Sequence, residues 1–207
     1  MKLLFRAAAA CALLPLLASC ISTEIASQTA PEFRDHRFQR TLVVADVGML
    51  HQRTVAEDLI VGKLRDRRVD ALRSLDVVFG ADTLPEEAFL DHAAEAGADA
   101  VLILRVREEG AITDYSSPNA NATFFATDSG GIVTGYSQTY GGGAVIRPWA
   151  TFRATLIETA TGRTAWFADA SSDGTASSNQ SDLVKAVAGK VAEQVLADGV
   201  LQAEQRL

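Results

Sequence analysis

The chain has 207 residues, 48% of them hydrophobic and 22% charged, with 19 basic against 26 acidic side chains and two cysteines. This length suits one domain with an ordinary core, and the composition excludes disorder over the whole chain. A net charge of −7 argues against a nucleic-acid binder, and two cysteines with three scattered histidines argue against a disulfide scaffold or a metal site.

Met1-Lys2-Leu3-Leu4-Phe5-Arg6 is a short basic segment, and Ala7 to Leu14 is an uncharged apolar stretch broken by Pro15. That stretch suits a secretory signal peptide over 1–19 and is shorter than the roughly 20 residues a membrane-spanning helix needs. It ends in Leu17-Ala18-Ser19-Cys20, which resembles the lipobox of bacterial lipoproteins. The resemblance implies cleavage before Cys20, a thioether from its sulfur to diacylglycerol, and acylation of the new amino group with a chain such as palmitate. Cys11 leaves with the signal, so the mature chain keeps one cysteine and forms no disulfide. Loss of Lys2 and Arg6 leaves 17 basic against 26 acidic residues. Ile21 in place of Asp after the cysteine implies, by the sorting rule of that family, an outer-membrane lipid anchor. The periplasmic face is the default expectation for the domain, and the sorting rule does not decide it.

Residues 20–40 lack apolar periodicity and read as the lipidated cysteine with a flexible tether. Thr41 to Val47 is a β-branched run that predicts a buried strand. Ala56, Leu59, Ile60 and Leu64 lie at helical spacing and predict an amphipathic helix over about 52–68. Asp76-Val77-Val78-Phe79 predicts a short second strand. Thr83-Leu84-Pro85-Glu86 has the form of a capping box, so a helix starts there and stops at Gly97. Ala100 to Arg107 predicts a third strand. Residues 108–148 are a Gly-, Ser-, Thr- and Asn-rich insert with no helical period. Thr151–Ile157 and Arg163–Ala170 alternate around Thr159-Ala160-Thr161-Gly162 and predict a hairpin. Val184, Val187, Ala188, Val191 and Val195 form the stripe of a last helix, capped by Asn179 or Ser181 and ended by Gly199. The sum is an α/β domain over 41–201 with a tail at 202–207. Its mixed sheet has about five strands and three main helices, in the order β-α-β-α-β-(insert)-β-β-α.

That order is similar to a group of bacterial envelope lipoproteins with an anticodon-binding-like α/β domain, including penicillin-binding-protein activators and the curli secretion lipoprotein. A nearer resemblance is to outer-membrane lipoproteins carrying a domain of unknown function. It rests on Gly97-Ala98-Asp99-Ala100, on the segment Thr161-Gly162-Arg163-Thr164-Ala165-Trp166, and on Asp198-Gly199-Val200-Leu201. These motifs are short and structural. The resemblance transfers no catalytic residue.

Asp128-Ser129-Gly130-Gly131 is similar to the nucleophile segment of trypsin-like proteases, but His36 sits in the tether, His51 after the first strand and His92 on a helix of an α/β chain, and a Ser-Gly-Gly turn explains it better. Gly141-Gly142-Gly143 lacks the Lys and the helix of a phosphate loop. Glu86 and Glu87 at a helix start, and Lys63, Arg65, Arg67 and Arg68 at a helix end, suit the helix macrodipole. Within the insert, Asn119, Asn121, Thr123 and Thr127 alternate with Ala120, Ala122, Phe124 and Ala126. Ile132, Thr134, Tyr136, Gln138 and Tyr140 alternate with small residues beyond the Asp128–Gly131 turn. Arms of about ten residues have the length a transmembrane barrel strand requires, although the apolar face is mostly Ala and Gly.

The expectation is a non-enzymatic, lipid-anchored envelope protein that binds another envelope component, such as a protein of peptidoglycan synthesis. The candidate partner-binding residues are Phe124, Phe125, Tyr136, Tyr140 and Trp149. No cofactor, metal or nucleic acid is expected. The alternatives are a subunit of an oligomeric secretion pore that contributes a hairpin from the insert and, third, a hydrolase using Ser129 and His51.

Overall fold

In a computed structural model of the chain, residues 21–78, 86–115, 119–124, 135–140 and 144–202 are described. The expected signal peptide, Cys20, Phe79, the capping sequence up to Pro85, the glycine run 141–143 and residues 203–207 lie outside them. In chain order the elements are β1 (Ser22–Thr29), a turn of 3-10 helix at Pro31–Phe33, β2 (Arg40–Asp46), α1 (Leu50–Asp66), β3 (Asp70–Arg73), α2 (Ser74–Val77), α3 (Glu86–Glu95), β4 (Ala100–Tyr115), β5 (Asn119–Phe124), β6 (Gly135–Tyr140), β7 (Ala144–Glu158), β8 (Thr164–Asp173) and α4 (Gln180–Ala197). Six strands form a mixed sheet in the order β1-β8-β7-β4-β2-β3, and β5 and β6 pair separately. β2 runs parallel to both β3 and β4, and the other neighbours are antiparallel.

The hydrophobic pattern follows from how many faces of each strand are covered. α1 and α4 bury one face of the sheet, where Val43, Leu102, Leu104, Phe152, Leu156 and Trp166 meet Ile60, Leu64, Val187, Val191 and Val195. α3 covers the opposite face over β2 and β4, where Phe89 and Ala93 join Leu42, Val44, Val101 and Ile103. Central strands buried on both faces need unbroken apolar runs, and Leu42–Ala45 and Val101–Leu104 are such runs. β7 and β8 are covered on one face and alternate, buried with exposed. The α/β class and the three longer helices match the expectation, with α1 at 50–66 and α4 capped by Asn179, whose side chain accepts from the Asp182 N–H.

Two expectations are corrected. Residues 20–40 are not a free tether, because Ser22–Thr29 is an edge strand hydrogen-bonded along its whole length to β8. It escapes a pattern search because its inward side chains are Thr23, Ile25, Ser27 and Thr29, only one of them large and apolar. Polar contacts hold it instead. Thr23 and Ser172 share a hydrogen bond of 3.0 Å, and the Ser27 hydroxyl donates to Asp198 at 2.6 Å. The second strand is Asp70–Arg73 and not 76–79, and Ser74–Val77 is one helical turn. That strand is a short sheet edge, tolerating the charged Asp70, which pairs with Arg40 at 2.5 Å.

The motifs behind the family resemblance are joints of this fold. The Asp99 carboxylate accepts the N–H groups of Gln39 and Arg40 at 2.8 and 3.0 Å and so fixes the start of β2. The Asp198 carboxylate accepts from the buried Trp166 indole at 2.6 Å, from Ser27 and from Gln194, tying α4 to β8 and β1. Gly97, Gly162 and Gly199 all stand at positive φ. A further joint had no signal in the sequence. Glu57, fully buried on α1, accepts from Arg53 and from the Ala45 N–H at 3.1 Å, from Ser74 at 2.6 Å and from the Leu75 N–H at 3.1 Å. Removing one member of a buried charge pair leaves the other uncompensated and costs about 3–5 kcal/mol. Glu57→Ala also strands two backbone donors, so the unfolding free energy from urea titration should fall by that order, and replacing Arg53 and Glu57 together by apolar residues should cost less than Glu57→Ala alone.

Candidate partner-binding surface

The surface begins where β4 and β7 outrun their neighbours. β2 ends at Asp46, opposite Arg105, and β8 ends at Asp173, opposite Trp149. From Ala111–Pro148 to Tyr115–Ala144 five further pairs continue as a ribbon of two strands, flanked by no third strand among the described residues. The Tyr115–Ala144 pair and the Asn119–Tyr140 pair lie four residues apart along each strand, so the β5–β6 ladder keeps the register of the β4–β7 ladder. The two described ladders of the insert are therefore in one common register. The pairing from Asn119–Tyr140 to Phe124–Gly135 is the one a turn at Asp128–Gly131 dictates, although that turn lies outside the described residues.

The root of the ribbon is fixed on the domain. The Trp149 ring lies so close to Gly110 that a Cβ there would stand 2.9 Å from it. Gln180 on α4 donates to the Gly110 carbonyl at 3.4 Å, and Pro148 is buried and packs over Gly174. The register shift between Val106 and Glu108 marks a bulge, a feature that bends a strand and raises its twist. Beyond the root, Ile112 and Val145 are exposed and Ile146 is 58% exposed. Arg147 and Asp114 pair across the ribbon at 2.6 Å. A ribbon of two strands is marginal in water, since neither face is covered.

The expected residues divide along this ribbon. Trp149 is half-buried at the root. Tyr136 and Tyr140 occupy register positions on one face with Asn119, Asn121, Thr123 and Gln138, and Phe124 falls on the other with Ala120, Ala122, Ser137 and Thr139. The register thus parts Phe124 from the two tyrosines. Phe125 and the lipidation site Cys20 lie outside the described residues. Ile112, Val145 and Ile146 were missed, because they sit beside the charged Asp114 and Arg147 in apolar runs of no more than three residues. For the hydrolase alternative, Ser129 is outside the described residues, while His51 on α1 and His92 on α3 belong to helices on opposite faces of the sheet. Among the described residues no three His, Cys, Asp or Glu side chains group as metal ligands.

The part of the sheet face that α3 leaves open is polar. Arg153 donates to both Asp169 oxygens at 2.7 and 2.8 Å and lies 5.8 Å from the centre of the Phe167 ring. The Arg153 hydrogen bond holds the Asp169 carboxyl below its ordinary value. Such alternation is that of a solvent-facing sheet.

No family model matches the chain, and no curated protein matches it. The fold has solved counterparts. A variant of the PelC dodecamer from Paraburkholderia phytofirmans aligns over 88% of this chain and 100% of its own, with 15% identity and a TM-score of 0.50. Another crystal form of that dodecamer aligns with 16% identity over 87% of this chain and 99% of its own, at a TM-score of 0.49. A lipoprotein from Neisseria meningitidis has 16% identity over 76% of this chain and 98% of its own, at 0.40. The likeness to PelC is one of fold.

Two outcomes test this geometry. In a Trp166→Phe background, Gly110→Ala should push the Trp149 ring off the ribbon and shift its emission to the red. The Asp169 carboxyl should titrate below about 3.9, the ordinary value for an aspartate. Its contribution to stability is present above that value and lost as pH falls through the lowered one. Arg153→Ala should return the midpoint toward the ordinary value in a carboxyl NMR titration.

Proposed function

We propose that this protein is a non-enzymatic, lipid-anchored component of the bacterial outer membrane. Its domain would lie on the periplasmic face and use the β4–β7 ribbon to bind another envelope component. The single observation that carries this reading is the ribbon. Among the described residues, five unflanked strand pairs and a further ladder in the same register leave the sheet with both edges open and Ile112, Val145 and Ile146 in solvent. A monomeric protein avoids that exposure unless a partner covers it. The lipobox-like Leu17-Ala18-Ser19-Cys20 and the following Ile21 support the anchor and the membrane. No helix among the described residues is long and apolar enough to cross a membrane.

A second reading has its own support. The PelC counterpart of this fold is a dodecamer. Copies of this chain that met ribbon to ribbon would pair the open edges, as in a subunit of an oligomeric secretion pore. Photocrosslinkers placed at Tyr136, Tyr140 and Trp149 in living cells separate the two. Capture of a second protein, lost when 115–145 is deleted, supports the first reading. Capture of the same chain supports the second. No capture from any of the three positions overturns both.

A further inference from the structure

The N-terminus and the ribbon leave the sheet at the same end. Ser22 stands opposite Asp173, Asp173 opposite Trp149, and Trp149 opposite Gly110, so these four residues form one row across the sheet. Going back along the chain from Ser22 leads past that row in the direction the ribbon takes. Cys20 is two residues before Ser22 and reaches at most about 7 Å beyond it. The five ribbon pairs from Ala111–Pro148 to Tyr115–Ala144 already extend about 16 Å in that direction, at the rise of a strand. A lipid attached at Cys20 therefore brings the bilayer to a level that the ribbon overtakes.

The same end carries most of the exposed apolar surface. β2 runs toward it and is followed by Met49 and Leu50, 69% and 66% exposed. Of the six large apolar side chains exposed among the described residues, Met49, Leu50, Ile112, Val145 and Ile146 belong to this end, and Phe167 alone does not. Charge runs out in step. The 32 residues between Asp114 and Arg147 hold one charged side chain, Asp128. At the average of the chain they would hold about seven. The charges stop at the Asp114–Arg147 pair, at the base of the ribbon.

We propose that this end of the domain faces the bilayer, with Met49, Leu50, Ile112, Val145 and Ile146 meeting the leaflet that the Cys20 acyl chains enter. The inference deepens the envelope reading and rests on its lipid anchor. It names lipid as what the ribbon contacts. A surface of this kind adds to the anchor, because apolar side chains buried at the headgroup boundary contribute to binding alongside acyl chains. It also orients the domain, since a single flexible point of attachment would not.

The test uses the lipidated, processed chain in vesicles of phosphatidylethanolamine and phosphatidylglycerol that contain a nitroxide-labelled lipid. The Cys20 sulfur is occupied, so a fluorophore reports from a cysteine introduced at Leu50→Cys, Ile112→Cys or Ile146→Cys, or at Thr161→Cys as the control in the exposed β7–β8 turn. Quenching of roughly twofold or more is expected at the first three positions and little at Thr161→Cys. Equal quenching at all four, or none at the first three, overturns the proposal. If lipid leaves those three unquenched while Tyr136 and Trp149 still capture a protein in cells, the envelope-binding reading stands and the bilayer surface falls. If the chain without an introduced cysteine takes up the fluorophore, the anchor itself is overturned.

Discussion

Everything distinctive in this molecule depends on the pairing of β4 with β7. Over Ala100–Val106 these strands are central in a sheet, and β4 is covered on both faces by helices. Over Ala111–Tyr115 the same ladder continues with no helix and no third strand beside it among the described residues. Strand pairing is indifferent to what lies above and below it, but its stability is not. The buried half holds the register, so the exposed half inherits an alignment it could not maintain alone in water. Gly110 and Trp149 mark the changeover, where a ring takes the space a side chain would fill.

A sheet with one end so built constrains the chain at the other strands as well. The edge strand β1 has little apolar area, and Asp198 compensates by gathering Ser27, Trp166 and Gln194 on one carboxylate. That cluster makes the N-terminal residues part of the domain from Ser22 onward. The proposed anchor at Cys20 would then hold the domain close to its point of attachment, which a 20-residue flexible tether would not.

Legibility in the sequence followed burial. β2, the start of β4 and α4 were readable because each buries large apolar side chains at a fixed period, as Leu42–Ala45, Val101–Leu104 and the Val184–Val195 stripe do. β1 and β3 were not, since a sheet edge needs only hydrogen bonds on one side and accepts Ser, Thr and Asp. Glu57 was invisible for a related reason. On a helical wheel it is one more charged residue, and only the approach of Ser74 and Ala45 makes it a buried node. In the ribbon, the alternation of Asn, Thr and Tyr with Ala was readable as a hairpin, and the register confirms the pairing of β5 with β6. The position of that hairpin relative to the anchor was not readable, because it depends on β1.

The open edges set how deep such a ribbon can go. In water, the outward N–H and C=O groups of each edge bond to solvent at little cost. In hydrocarbon each unsatisfied group costs several kcal/mol, which a few exposed isoleucines and valines cannot offset at about 1.5–3 kcal/mol for each buried side chain. If this end meets a bilayer as proposed, a single copy would be held at the headgroup boundary, where water still reaches the edges. Deeper entry would require other copies to pair both edges, and pairing on both sides of every ribbon closes a ring. Depth in the membrane and number of copies are in this way one variable. Interfacial contact by a monomer and spanning by a closed ring are its two stable values, and a ribbon buried with one edge unpaired is excluded.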